Sequence, residues 1–155
     1  MADILTPVER SKVMARVRNK DTDLELRVRR MLHRAGYRFR LHRKDLPGTP
    51  DILLPRHKLA IFVHGCFWHG HQDCKRARLP ETSADFWKAK IERNVARDAH
   101  VKASLADLGY RVLTVWGCEV KDEVRLLSRV ASIVGGAKGN AAAPFAHRRH
   151  REVAR

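Results

Sequence analysis

The 155-residue chain contains no apolar run approaching the roughly 18 residues that a membrane-spanning helix requires. Its longest uncharged apolar stretch, Ile61 to Trp68, is interrupted by His64 and Gly65, so no membrane partner is expected. The opening Met1-Ala2-Asp3-Ile4 lacks the basic-then-apolar layout of a secretory signal. Cysteine is scarce: three residues are an odd count and too few for a disulfide-stapled secreted fold. Reduced thiols or metal ligands in a cytoplasmic protein fit that count. No internal repeat is present. At about 150 residues per domain, the length leaves room for one domain. With 44% apolar residues, that domain has enough to build a core.

Acidic residues are the other deficit, 17 against 32 lysines and arginines, for a net charge of +15. A charge this large on a small body attracts polyanions, and each phosphate it neutralises releases a condensed counterion. The segment after Gly135 holds Lys138, Arg148, Arg149, Arg151 and Arg155 against Glu152, a net +4 that leaves the rest of the chain at +11. The remainder is therefore basic in its own right. Nucleic acid is the expected partner, and a merely solvated surface is the weaker reading.

Local signals divide the chain in order. Thr6-Pro7-Val8-Glu9 combines a cap, a proline at the first helical position and a glutamate three residues on, predicting a helix to about Val17. Thr22-Asp23-Leu24-Glu25 opens a second helix, with Leu24, Val28 and Leu32 on one face and Gly36 as its stop. Tyr37, Phe39 and Leu41 alternate with Arg38, Arg40 and His42, the period of a half-exposed strand. After the turn Leu46-Pro47-Gly48-Thr49-Pro50, Asp51 to Leu54 reads as a short buried strand, and Lys58 to His64 as a central one. A loop from Gly65 to about Pro80 precedes a long helix from Ser83 to near Gly109, with Phe86, Ile91 and Val95 on its core side. Tyr110 to Trp116 is β-rich. Glu123 to Val134 is a last amphipathic helix, with Val124, Leu127, Val130, Ile133 and Val134 inward. These elements predict an α/β single domain around one mixed β-sheet flanked by helices. Its parts are an N-terminal helix expected to contact nucleic acid (1–20), the central α/β domain (21–135) and a basic disordered tail (136–155).

Cys66, His71 and Cys74 share one loop, and Cys118 follows the last strand. Together they can close a four-ligand tetrahedral zinc site, structural because it leaves no open coordination position. The competing reading is three buried thiols and a surface histidine; drawing all three cysteines into one constellation favours zinc. Asp51 stands at the start of a buried strand, where an unpaired carboxylate is costly. A turn-capping aspartate is the common explanation. A basic chain with His64 at the end of the neighbouring strand favours a magnesium-binding carboxylate beside a scissile phosphate. His64 and His69 are suited to proton transfer and phosphate contact, with Asp51 expected within reach of both imidazoles. From spacing alone, Glu25 stays close to a helix-capping role and Asp98 close to a surface ion pair.

Five Phe, three Trp and two Tyr are few for this length, yet Phe67-Trp68 and Phe86-Trp87 place four of them in two pairs. Phe67 and Trp68 lie in a polar loop. There they serve either as a wedge between bases or as a small core around the metal, two readings of equal weight.

With these residues on the page, the chain resembles the very-short-patch-repair (Vsr) DNA mismatch endonucleases. The likeness runs from Arg10-Ser11-Lys12-x-Met14 to Trp116-x-Cys118, and Val63-His64-Gly65-Cys66-Phe67-Trp68-His69 is its most specific part. Leu46-Pro47-Gly48-x-Pro50-Asp51, Asp85-Phe86-Trp87, Asn94-Val95-x-Arg97-Asp98 and Gly109-Tyr110-Arg111-Val112-Leu113 support it. The resemblance implies a PD-(D/E)xK restriction-endonuclease-like fold with a structural zinc site. It implies magnesium held by Asp51 and the backbone carbonyl of Val63, hydrolysis assisted by His64 and His69, and Glu25 and Asp98 in the active site. Phe67, Trp68 and Trp87 would wedge beside a T:G mispair, with Met14 on the minor-groove side, and Cys66, His71, Cys74 and Cys118 would bind zinc.

Two features depart from the family pattern. Valine stands at 63 where threonine is frequent, which a backbone ligand tolerates, and the step from His71 to Cys74 is one residue longer. The implied activity is magnesium-dependent nicking 5′ of the thymine in T:G mispairs left by methylcytosine deamination. The expected partners are mismatched double-stranded DNA and mismatch-repair proteins, for a cytoplasmic, nucleoid-associated monomer. The alternatives are a restriction- or resolvase-like nuclease without mismatch preference and a non-catalytic, zinc-stabilised DNA-binding module.

Overall fold

The computed structural model describes residues 6–15 and 20–135. Helix α1 (Pro7–Ala15) begins with a reciprocal cap: Glu9 N–H donates to Thr6 Oγ1 at 3.3 Å, and Thr6 N–H donates to a Glu9 carboxylate oxygen at 2.9 Å. Its expected end at Val17 lies outside the described residues, as do the tail from 136 and the side chain of Met14 on α1. In α2 (Asp23–Arg34), Glu25 N–H donates to Thr22 Oγ1 at 3.3 Å. The Glu25 carboxylate does not complete the box; it accepts from Asp21 N–H at 2.9 Å, leaving it only 2% exposed beside the sheet.

Four strands follow in the sheet order β1-β2-β3-β4: β1 (Arg40–Leu41), β2 (Ile52–Leu54), β3 (Leu59–His64) and β4 (Arg111–Trp116). β1 and β2 pair antiparallel, β2 and β3 pair antiparallel, and β3 and β4 pair parallel. The sheet is therefore mixed, with α3 (Ala84–Asp107) connecting its parallel pair and α4 (Glu123–Gly135) closing the fold. The first strand is shorter than its alternation predicts: only Arg40 and Leu41 pair, both exposed on the sheet edge, while Tyr37 and Phe39 pack on the core from outside the ladder.

Because successive β3 side chains point to opposite faces, the strand feeds two cores. Leu59 and Ile61 join Ile52, Leu54, Leu113 and Val115 against Val28, Met31 and Leu32 of α2 and Leu126 and Val130 of α4. Ala60 and Leu53 face α3, packing on Leu105 with Phe62 and Val112 beside them. The domain thus has three layers, and the even-numbered side chains of β3, ending at His64, face the long helix.

Two helix faces differ from the pattern read in the sequence. On α3 the inward residue is Trp87, 4% exposed, whereas Phe86 is 53% exposed and Val95 is also exposed. The buried stripe runs through Trp87, Ile91 and Leu105, a register that turns Phe86 outward. On α4, Val124 is 82% exposed and Leu126 is 2% exposed, because Leu126 shares the Val130 face. Among the described residues, no helix is long and apolar enough to cross a membrane.

Leu54 is fully buried at the end of the short β2, where nothing else can fill its volume. We expect Leu54→Ala to destabilise the fold by about 2–5 kcal/mol, the usual range for such a cavity, measured by urea unfolding at constant m-value.

Candidate active site and metal centre

Asp51 is delivered by the turn before β2. Thr49 N–H donates to the Leu46 carbonyl, and Gly48 lies in the left-handed region at φ +72°. A Cβ on Gly48 would stand 2.3 Å from Val101 Cγ1, so only glycine lets this turn press onto α3. β2 pairing begins at Ile52 opposite Ile61, which leaves Val63 beyond the end of the ladder. There the Asp51 side chain takes the strand's place: Oδ2 accepts the Val63 N–H at 2.8 Å. By strand geometry the Val63 carbonyl faces the same side as its N–H.

Burial, with the neighbouring Glu25 carboxylate adding to it, pushes the Asp51 carboxyl up to about 6. The Val63 N–H, His42 and Arg29 oppose the rise. A carboxyl driven towards protonation by desolvation and a second acid is one that a divalent cation holds ionised. Asp51 and Val63 therefore fit a hard cation, which prefers oxygen ligands.

One peptide further along, His64 enters a second cluster. Its ring stacks on His69 with centroids 3.7 Å apart and planes within 5°. Asp98 of α3 places Oδ2 2.6 Å from His69 Nδ1 and 4.0 Å from His64 Nδ1. With Asp98 accepting from Nδ1–H, a neutral His69 ring carries its lone pair on Nε2. Burial, helped by the adjacent His69 and opposed by Asp98, lowers His64 to about 4, so His64 is neutral at physiological pH. The sequence places Asp51 within reach of both imidazoles. In the structure the acid that closes on the rings is Asp98, and the set His64, His69 and Asp98 does not include Asp51. Asp51 is joined to them through the Val63 backbone.

A third group, Asp21, Glu25 and His42, has the spacing of a cation site. A guanidinium already sits there: Arg29 Nη2 lies 2.7 Å from Asp21 Oδ1, 3.2 Å from Glu25 Oε2 and 3.0 Å from His42 Nε2. Glu25 thus both holds the Asp21 N–H ahead of α2 and acts as an acid towards Asp51. Asp21, Arg29 and His42 were not legible as a unit, since each lies on a different segment; an acid just before the Thr22 cap was the only signal.

Cys66, His71, Cys74 and Cys118 bring one ligand atom each to within 4.8 Å of one another. His71 Nδ1 lies 3.5 Å from Cys118 Sγ, and its ring stacks on Trp116 at 4.1 Å. Three free thiols and an imidazole converging from a loop and the end of β4 form a closed donor set suited to a tetrahedral metal ion. The longer step between His71 and Cys74 does not prevent this convergence.

The aromatic pairs make one cluster. Phe67 meets Trp68 edge-on at 5.2 Å and Trp87 at 5.4 Å, and Phe86 caps Trp87 at 5.2 Å. Lys90 Nζ lies 5.5 Å from the Trp68 ring and 5.8 Å from that of Trp87. Phe67 and Trp68 are half-buried and reachable, while Trp87 backs them from the interior.

Stacked histidines oriented by an aspartate, beside a carboxylate fit for a cation, on a strongly basic chain, have the chemistry that phosphodiester hydrolysis requires. The class is that of the endonucleases. The family model described as DNA mismatch endonuclease Vsr matches residues 2–76. The chain is 52% identical over 134 residues to the type II nicking enzyme V.XorIIP of Xanthomonas oryzae pv. oryzae, covering 86% of this chain and 98% of that protein. It is 40% identical over 126 residues to the DNA mismatch endonuclease Vsr of Escherichia coli (strain K12), covering 81% and 80%. It is 39% identical over 134 residues to the type II nicking enzyme V.NmeAIP of Neisseria meningitidis serogroup A, covering 86% and 95%. The chain belongs to the DNA mismatch endonuclease Vsr family, and it is an endonuclease.

The raised Asp51 and lowered His64 bear on stability with opposite signs. The folded state holds the Asp51 proton between pH 3.8 and about 6, where the unfolded chain releases it, so stability falls as pH rises through that window. For His64 the unfolded chain holds the extra proton between about 4 and 6.5, so stability rises with pH there. Asp51→Asn keeps the acceptor for Val63 and removes only the first contribution. In EDTA it is expected to be more stable than the parent by up to about 3 kcal/mol above pH 6, with the gain vanishing near pH 4, as read by urea unfolding across pH.

Proposed function

We propose that this chain is a magnesium-dependent, strand-nicking mismatch endonuclease that cuts 5′ of the thymine in T:G mispairs arising from methylcytosine deamination. The observation that carries this reading is the pairing of Asp51, fixed on the Val63 N–H at 2.8 Å, with the contact at 2.6 Å between Asp98 and His69, six residues beyond Val63. The mixed sheet with a functional acid at its strand end supports a PD-(D/E)xK-like architecture, in which Phe62-x-His64 stands where an acidic-x-lysine pair is usual.

Asp51 and the Val63 carbonyl would hold the cation, with Glu25 as the second acid facing it. When bound, a divalent cation supplies neutralisation of the phosphate's developing charge and activation of the attacking water. Asp98 orients His69 so that Nε2 faces the reaction with its lone pair, taking or returning a proton there. His64, kept neutral by burial, contacts phosphate or leaving oxygen without adding a competing charge. Phe67 and Trp68 are the wedge, backed by Trp87, entering most readily where a mispair has already weakened stacking. Met14 and the basic face of the N-terminal segment 1–20 would lie along the minor groove. The cysteine–histidine set would hold a structural zinc, tying the wedge loop to the end of β4, with four protein ligands and none of them free for a reaction.

Duplexes identical except for T:G or T:A test the reading. Magnesium-dependent nicking of T:G alone, 5′ of the thymine, is expected; equal nicking of both would mean a nuclease without mismatch preference, and binding without nicking a non-catalytic module. Asp51→Ala is expected to abolish nicking while T:G binding survives, and loss of both together would contradict the division of roles. For the metal, atomic emission on the purified chain is expected to find one zinc per molecule. Cys118→Ser is expected to lose that zinc and melt several degrees lower.

A further inference from the structure

The peptide that joins Trp68 to His69 is held at both of its polar ends. Its carbonyl accepts a hydrogen bond from Asn94 Nδ2 at 2.8 Å, and its N–H donates to the Gly65 carbonyl at 3.3 Å. This is the one peptide plane that links the wedge ring directly to the proton-transferring imidazole. Asn94 stands one helical turn before Asp98 on α3, so the same face of the helix grips the backbone of residue 68 and the ring of residue 69. Lys90, a further turn back, lies beside the Trp68 ring.

The rest of the loop allows little independent movement. Gly70 lies at φ +59°, and a Cβ there would stand 2.8 Å from Ile91 and 3.1 Å from Val95, so the chain after His69 is pressed onto the same helix. Asn94 is in turn oriented from solvent. The exposed Arg97 donates from Nη2 to Asn94 Oδ1 at 3.1 Å, which fixes the amide with its NH2 towards Trp68.

We infer that Asn94 is a positioning residue that couples insertion of the Trp68 wedge to alignment of His69. Through the Trp68 carbonyl it fixes the peptide plane between the two rings, so that displacement of the wedge is passed to the imidazole and not absorbed by the loop. Asn94 touches no reacting atom; it acts on the histidine through the backbone. The inference rests on the mismatch-nicking reading above and assigns it a specificity-determining residue. Chemistry depends on the wedge being seated because one amide holds both.

Two variants separate the donated hydrogen bond from the volume of the side chain. Asn94→Asp keeps the shape and the Arg97 contact but turns a lone pair towards the Trp68 carbonyl. Asn94→Ala removes the contact without repulsion. The loss of a part-buried hydrogen bond, about 1–3 kcal/mol, corresponds to about 5- to 150-fold. Single-turnover nicking of a T:G duplex at saturating enzyme is therefore expected to fall by about 10-fold in Asn94→Ala and further in Asn94→Asp. The affinity for T:G, and the brightening of 2-aminopurine placed beside the mispair, are expected to stay within about threefold of the parent, since both report the wedge and not the imidazole.

Parent-like nicking by Asn94→Asp would overturn the inference while leaving the function intact. So would loss of binding and unstacking in step with nicking, which marks a merely structural side chain. A parent chain that fails to discriminate T:G from T:A would overturn the functional reading and this inference with it.

Discussion

The hydrogen bond from the Val63 N–H to Asp51 Oδ2 is the contact on which the rest of the site depends. It forms because β2 pairing begins at Ile52, opposite Ile61, while β3 runs on to His64, leaving the backbone of Val63 without a partner on the β2 side. A side chain fills that position and becomes rigid by doing so. The next residue, His64, points to the other face, where α3 supplies Asp98. Strand alternation thus sets a carboxylate and an imidazole in fixed relation across a single peptide, and neither can shift without disturbing the sheet.

Holding these groups in place has an electrostatic cost. Asp51 is desolvated and faces Glu25, and His64 is desolvated and faces His69, so each is pushed towards its neutral form. The compensating charges come from elsewhere in the fold. Arg29 sits among Asp21, Glu25 and His42 and, with His42, opposes the repulsion that Glu25 exerts on Asp51. Asp98 performs the matching service for the histidines. The loop between the two groups is gripped by α3 and converges with Cys118 in the cysteine–histidine cluster.

Much of this arrangement is legible in the sequence. The capping sequences at Thr6 and Thr22, the Gly36 stop and the two buried strands carry strong local signals, and the structure follows them. The convergence of Cys66, His71, Cys74 and Cys118 was also readable, because all the thiols of a cysteine-poor chain fall around one loop and one strand end. Side-chain register on the helices was less so. Phe86 and Trp87 are adjacent and both apolar, and which one faces inward depends on how α3 lies across the sheet. Val124 and Leu126 pose the same ambiguity on α4, where Leu126 is the one that faces inward. The separation of Asp51 from the His64–His69 pair depends on β2–β3 register, and the Arg29 network on three segments meeting in space; neither leaves a trace in local sequence.

The central claim, that the cation site lies at Asp51 and the Val63 backbone at the end of β3, is tested most directly by titrating manganese into the 15N-labelled protein. Paramagnetic broadening is expected to centre on the amides of Asp51, Val63 and His64, and to disappear in Asp51→Asn. Broadening centred on Asp21 and His42, or unchanged by Asp51→Asn, would contradict the claim.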